Sequence, residues 1–162
     1  MIFRRRSETE SALLPYRTIL IPLLGTASDE DPIRLGALLL EGLGSGQVVV
    51  LHVIEVGFER SLDQTDPAAV DFAHEGVGKA EEFYESRGIA VRTSVVQARS
   101  AGPAIVDEAI ESHADLVLMG LPYKKRFGGA WDAGRTVPYV MRNLKAPVWC
   151  LRTATEDLAD TA

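Results

Sequence analysis

The chain has 162 residues, of which 46% are hydrophobic and 25% charged, enough for one globular domain with a real core. Its formal net charge of −6 and pI near 5.1 exclude nucleic acid as the main partner, because phosphate-backbone binding needs a positive surface. The single Cys150 rules out an internal disulfide and fits a reducing, cytoplasmic setting. No apolar run approaches the ~20 residues of a membrane span, so a soluble protein, not membrane-embedded, is expected.

Residues 1–15 start basic, with Arg4, Arg5 and Arg6, but lack an apolar signal core, and are expected to be a flexible tail. The first strand is predicted over Thr18 to Leu24, an apolar run without alternation and therefore buried on both faces. Gly25 and Thr26 turn the chain. Asp31 followed by Pro32 predicts a helix start, with Ile33, Ala37 and Leu40 at helical spacing and Gly44-Ser45-Gly46 as the stop. Val48 to Ile54 is the most strand-like run of the chain, led by three stiff valines. After a loop from Gly57 to Asp66, a helix is predicted from Pro67 to Ser86, its buried face carrying Ala73, Val77, Ala80 and Tyr84. Gly88 ends it.

Val91, Thr93 and Val95 alternate with polar residues, which predicts a half-exposed edge strand. Pro103 is expected to open a third helix, with Ile105, Val106, Ala109 and Ile110 inward and Asp107, Glu108 and Glu111 toward water. Leu116 to Met119 is another buried strand, ended by Gly120. The loop beyond it carries Lys124, Lys125, Arg126, Gly128, Gly129 and Gly134. Thr136 is predicted to cap a short helix with Pro138 in its first turn and Val137, Val140, Met141 and Leu144 on its apolar face. Val148 to Leu151 completes five strands alternating with four helices, and residues 154–162 read as an acidic tail. The fold class is α/β: a five-stranded parallel sheet sandwiched by helices, Rossmann-like, in one domain over residues 16–153.

Ligands in such sheets bind beyond the carboxyl ends of the strands. A strand leading through a basic, glycine-rich loop to a helix N-terminus is an anion cradle in form, since its N–H groups and helix dipole point outward. The cluster at Lys124–Arg126 can hold a small anionic ligand against the global charge, or simply be solvated. Trp131 reads either as a lid stacking on a base or as an anchor for the loop. His52 lies within an apolar strand and reads as a core histidine; His74 and His113 have no spacing that suggests a metal. No nucleophile triad, Walker loop or zinc-protease motif occurs. Catalytic residues are therefore expected to be none, with slow nucleotide hydrolysis as the upper limit.

From Tyr16 to Arg152 the chain resembles the universal stress protein family. The resemblance rests on Ile19-Leu20-Ile21-Pro22, Leu51-His52-Val53, Gly102-Pro103-Ala104-Ile105-Val106, Ala114-Asp115-Leu116-Val117-Leu118-Met119-Gly120 and Ala146-Pro147-Val148, in the family's order. It implies a homodimer paired through the strand around Val148–Leu151. It also implies a nucleotide site for ATP or another adenine nucleotide in some members. Carried onto this chain, that site comprises Gly25, Thr26, Val53, Met119, Gly120, Gly134, Arg135 and Thr136. The chain departs from the ATP-binding pattern: Leu24 replaces the aspartate that ends strand one, Tyr123 replaces the second loop glycine, and Arg135 follows Gly134 where Ser or Thr is the rule. These departures favour a regulatory binding module over an ordinary ATP binder. A weaker similarity of Arg135–Asn143 to domains attached to membrane transporters makes a separate transporter an alternative partner.

Overall fold

Strand β1 (Thr18–Leu23) lies at the centre of a sheet whose five strands run in parallel in the order β3-β2-β1-β4-β5. The others are β2 (Gln47–Glu55), β3 (Ala90–Ala98), β4 (Leu116–Leu121) and β5 (Val148–Arg152). Helices α1 (Glu30–Leu43), α2 (Pro67–Glu85), α3 (Ala101–Glu111) and α4 (Thr136–Asn143) make the crossovers. This computed structural model describes residues 16–64, 66–121 and 134–152. The expected tails, Tyr123, the Lys124–Arg126 cluster, Gly128, Gly129 and Trp131 lie outside the described residues.

The two-residue period of a strand sends alternate side chains to opposite layers. Ile19, Ile21, Val48, Val50, Leu116 and Leu118 meet Ala37 and Leu40 of α1 and Val77, Ala80 and Tyr84 of α2. Leu20, Val49, Leu51, Val117 and Met119 meet Ile105, Val106 and Ala109 of α3 and Val137 and Val140 of α4. A sheet covered on both faces explains why these strands read as unbroken apolar runs. Tyr84 is fully buried and its hydroxyl donates to the Ile33 carbonyl at 2.7 Å, tying α2 to α1. Asp115 closes the other end of the sheet: its carboxylate accepts from the N–H groups of Arg17 and Thr18, while its own N–H donates to the Thr18 carbonyl.

The β1–β4 register holds only at Ile19↔Leu116 and Leu20↔Val117, whereas β1 stays paired with β2 as far as Leu23↔His52. Beyond Leu20 the switch-point strands part, and Pro22 has no N–H to offer there. That divergence opens the carboxyl end of the sheet.

Several local expectations are corrected. A 3-10 turn at Ala27–Asp29 precedes α1, which begins at Glu30, so Asp31 lies inside the helix and does not cap it. Helix α3 starts at Ala101 after Ser100, two residues before Pro103, and Thr136 is the first residue of α4, not its cap. Ile110 and Met141 are 65% and 58% exposed, because the short helices α3 and α4 bury only a narrow stripe. Glu108 does not face water freely; it pairs with Arg92 of the edge strand β3 at 2.9 Å. The edge position of β3 and the helix over Pro67–Glu85 follow the sequence reading closely.

Candidate functional site at the carboxyl end of the sheet

After β1 the chain turns through Leu24, Gly25 and Thr26, with Gly25 at φ +74°, a conformation that costs glycine nothing. Three consecutive N–H groups consequently converge on one point, a geometry that binds anions. The anion here is the protein's own. The Asp29 carboxylate accepts from Leu24 at 2.9 and 3.1 Å, from Gly25 at 2.8 Å and from Thr26 at 3.2 Å. In return the Asp29 N–H donates to the Thr26 carbonyl at 3.0 Å.

Asp29 is buried, and burial is the main influence, raising its pKa; the three N–H bonds and the neighbouring His52 pull the other way. Asp29 was missed in the sequence. Thr26-Ala27-Ser28-Asp29 does carry the Ser/Thr-x-x-acid signal of a helix start, but Asp31-Pro32 reads as the more conspicuous one.

The same turn explains Gly120. A Cβ there would sit 2.1 Å from the Ser28 carbonyl oxygen, so the 3-10 turn passes directly over β4 and needs a residue without a side chain. The space above Gly120 is therefore filled by backbone, and Met119 beside it is core, 1% exposed.

Val53 and Thr136 come together from β2 and α4 in a small pocket of about 160 Å³, bounded also by Pro22, Leu24 and Glu55. Small-molecule sites usually begin at about 300 Å³. Gly134 and Arg135 are exposed just before α4, with Gly134 at φ +68° and open space around it. Gly25 and Thr26 border a separate, larger cleft between α1 and α2. The eight residues expected to act together are thus divided: Val53 and Thr136 share a pocket, Met119 and Gly120 are covered, Gly25 and Thr26 border the separate cleft, and Gly134 and Arg135 lie exposed before α4.

Among the described residues no group of three or more His, Cys, Asp or Glu side chains could hold a metal ion. Cys150 is half-buried, and burial pushes its thiol pKa up, the opposite of what an activated nucleophile needs. His74 and His113 are exposed, and the His113 ring meets the Glu111 carbonyl beside a helix end. Among the described residues no helix is long and apolar enough to cross a membrane.

Residues 15–152 match the model of the universal stress protein family. The curated proteins yield no match. Among solved structures, a universal stress protein from Archaeoglobus fulgidus is 22% identical, with a TM-score of 0.68 over 83% of this chain and 98% of that one. A structure of the universal stress protein from the same organism in complex with dAMP is 20% identical, with a TM-score of 0.65 over 85% and 98% of the two chains. A universal stress protein family protein from Arabidopsis thaliana with AMP bound is 11% identical, with a TM-score of 0.62 over 89% and 99%.

Proposed function

Because the chain belongs to the universal stress protein family, we propose that it is a small regulatory binding module of that family, not an enzyme, and that it does not take ATP in the ordinary way. One observation carries this reading: the anion-binding turn after β1 is occupied by Asp29. Any nucleotide group that sought these three N–H groups would have to displace a carboxylate already held by them, and Leu24 offers no side-chain acceptor to a ribose or adenine donor beside it. Mass spectrometry of any small molecule released on denaturation, with calorimetric titration of ATP, ADP and AMP, tests it. The expected result is no stoichiometric ATP and no ATP heat; a stoichiometric triphosphate overturns the reading.

The dAMP and AMP bound by the neighbouring structures favour a second reading, in which an adenine nucleotide with fewer phosphates binds. Val53 and Thr136 would then lie near the base and ribose, and Gly134 and Arg135 near the phosphate, where a helix N-terminus and a guanidinium both favour negative charge. Gly134 is exposed and uncrowded, and aspartate tolerates a left-handed backbone better than most residues. Gly134→Asp should therefore abolish AMP binding while the domain still melts cooperatively near the parent temperature. A variant that binds AMP as the parent does removes the assignment.

A homodimer through β5 accords with the same reading. Among the described residues that strand is at the edge of the sheet, and Trp149 on it is 38% exposed, packed edge-on against Tyr16 at 5.6 Å. Sedimentation equilibrium should return twice the 17.6 kDa chain mass; a single chain mass would refute the dimer and direct the search to a transporter's cytoplasmic face. A cytoplasmic setting accords with the lone thiol.

A further inference from the structure

Strand β3 pairs with β2 without a break in register from Ala90 to Ala98, and among the described residues no strand lies on its other side. The Val56 N–H donates to the Ala98 carbonyl at 2.8 Å, so Ala98 turns its backbone toward β2. In a regular strand alternate residues turn their N–H and C=O groups to opposite sides. Val91, Thr93, Val95 and Gln97 therefore hold theirs toward the open edge, each offering one donor and one acceptor. Open edges are usually blunted by proline, lysine, a bulge or shortness. β3 is 9 residues long, AVRTSVVQA, and has none of these. Its one charged residue, Arg92, is drawn aside to Glu108.

A groove of about 360 Å³ runs beside the same edge. Val96 and Ala98 of β3 and Pro103 and Ala104 of α3 give it apolar walls, and Asp107, Glu108 and Glu111 line it from α3. Arg92 and Ser94 both reach Glu108, so the even-numbered side chains of β3 point into this α3 layer. A strand laid along the edge would send alternate side chains there too.

The charges at the groove select the occupant. Three carboxylates stand against the guanidiniums of Arg92 and Arg99, and Arg99 is turned to the Val56 and Gly57 carbonyls. Asp107 and Glu111 are exposed, and among the described residues neither is in an ion pair. They stand one helical turn apart, about 6 Å along the axis of α3. Alternate side chains of a strand are spaced at roughly 6.6 Å, which matches.

We propose that the β3 edge is a docking site for an extended, basic peptide segment of a partner protein. The segment adds a sixth strand to the sheet and places two Lys or Arg side chains, two residues apart, on Asp107 and Glu111. Its backbone bonds supply affinity and its alternate side chains specificity. The site lies at the opposite edge from β5 and needs no nucleotide.

The test titrates the full chain with the acetylated, amidated peptide Thr-Val-Arg-Val-Arg-Val-Thr, and with versions carrying Gln or Glu for both arginines, while NMR follows amide hydrogen exchange. In the free chain the amides of Val91, Thr93, Val95 and Gln97 should exchange faster than those of Arg92, Ser94 and Val96. The basic peptide should slow Thr93 and Val95 at least tenfold and bind at least fivefold tighter than the Gln version, with the Glu version weakest. Asp107→Asn together with Glu111→Gln changes only exposed side chains and should remove that order. Thr93→Pro deletes a donor that β2 does not use and should abolish binding. The same peptide N-methylated at its valines and arginines keeps its charges and loses its donors, so it should fail to bind the unaltered protein. Binding that survives N-methylation, or unchanged exchange at Thr93 and Val95, overturns the site. Slow exchange of these amides in the free chain also overturns it. If that slowing is independent of protein concentration, another segment of this chain fills the edge; if it grows with concentration, a second copy does.

Discussion

Replacing Asp29 with alanine tests the turn after β1 most directly. The substitution removes the acceptor for three backbone N–H groups at once. Leu24 is the half-buried member and bonds both carboxylate oxygens, so its orphaned N–H should cost about 1–3 kcal/mol. Gly25 and Thr26 are exposed, and water can take their N–H groups, leaving roughly 0.5 kcal/mol each, at the low end for a lost hydrogen bond. The variant also relieves the desolvation of a buried charge, which keeps the sum near 3 kcal/mol and no higher. For a domain of this size each kcal/mol moves the melting midpoint by roughly 3 °C, so a fall of about 9 °C is expected. Asp29→Asn retains one acceptor and should lose about half as much. Thermal unfolding at pH 7 gives both values, and added inorganic phosphate should stabilise Asp29→Ala more than the parent because the turn is then free. If Asp29→Ala melts within about 1 °C of the parent, the carboxylate does not hold this turn and the argument against ATP loses its basis.

Two further outcomes follow from the same end of the sheet. Gly120→Ala forces a Cβ to 2.1 Å from a backbone oxygen that no rotamer change can move, and should cost about 3 kcal/mol or more in urea unfolding; an unchanged midpoint would mean that the 3-10 turn does not cross β4. For His52, burial is the larger influence and lowers its pKa from 6.5, against the opposing pull of Asp29. The folded state therefore resists protonation, so this contribution to stability is full above pH 6.5 and is lost as pH falls through the depressed folded value. Asp29 acts in the opposite sense, its raised pKa contributing stability below 3.8 that is lost as pH rises. Urea midpoints from pH 7.5 to 5 should fall less steeply in His52→Gln than in the parent, and equal slopes would refute the role given to His52.

The regular elements were legible because their causes are local. Apolar runs such as Val48–Ile54, the helical spacing of Ala73, Val77, Ala80 and Tyr84 and the Gly44 stop depend on near neighbours in the chain, and the structure has β2, α2 and the end of α1 where these signals place them. Alternation of strands with helices was enough to specify a parallel sheet. The errors also have local causes. The Asp31-Pro32 pair outweighed Thr26-x-x-Asp29, and helical periodicity assigned Ile110 and Met141 to buried faces without knowing how narrow those faces would be.

What only the tertiary structure decided concerns residues that meet across the fold. Gly120 matched a nucleotide motif, yet its lack of a side chain is required by Ser28, a residue far away in sequence. Glu108 looked like one of three solvated acids until Arg92 of β3 was brought beside it. Asp29 gained its importance from the left-handed turn at Gly25, which aims three N–H groups at a single carboxylate. His52 was readable as a core histidine, but its unpaired nitrogen and the cleft it lines depend on where α1 and α2 settle on the sheet. Periodicity and capping record how each segment pairs with itself or with a layer. Which side chain fills which space depends on crossovers that bring distant segments together, and a single sequence carries no local signal for that.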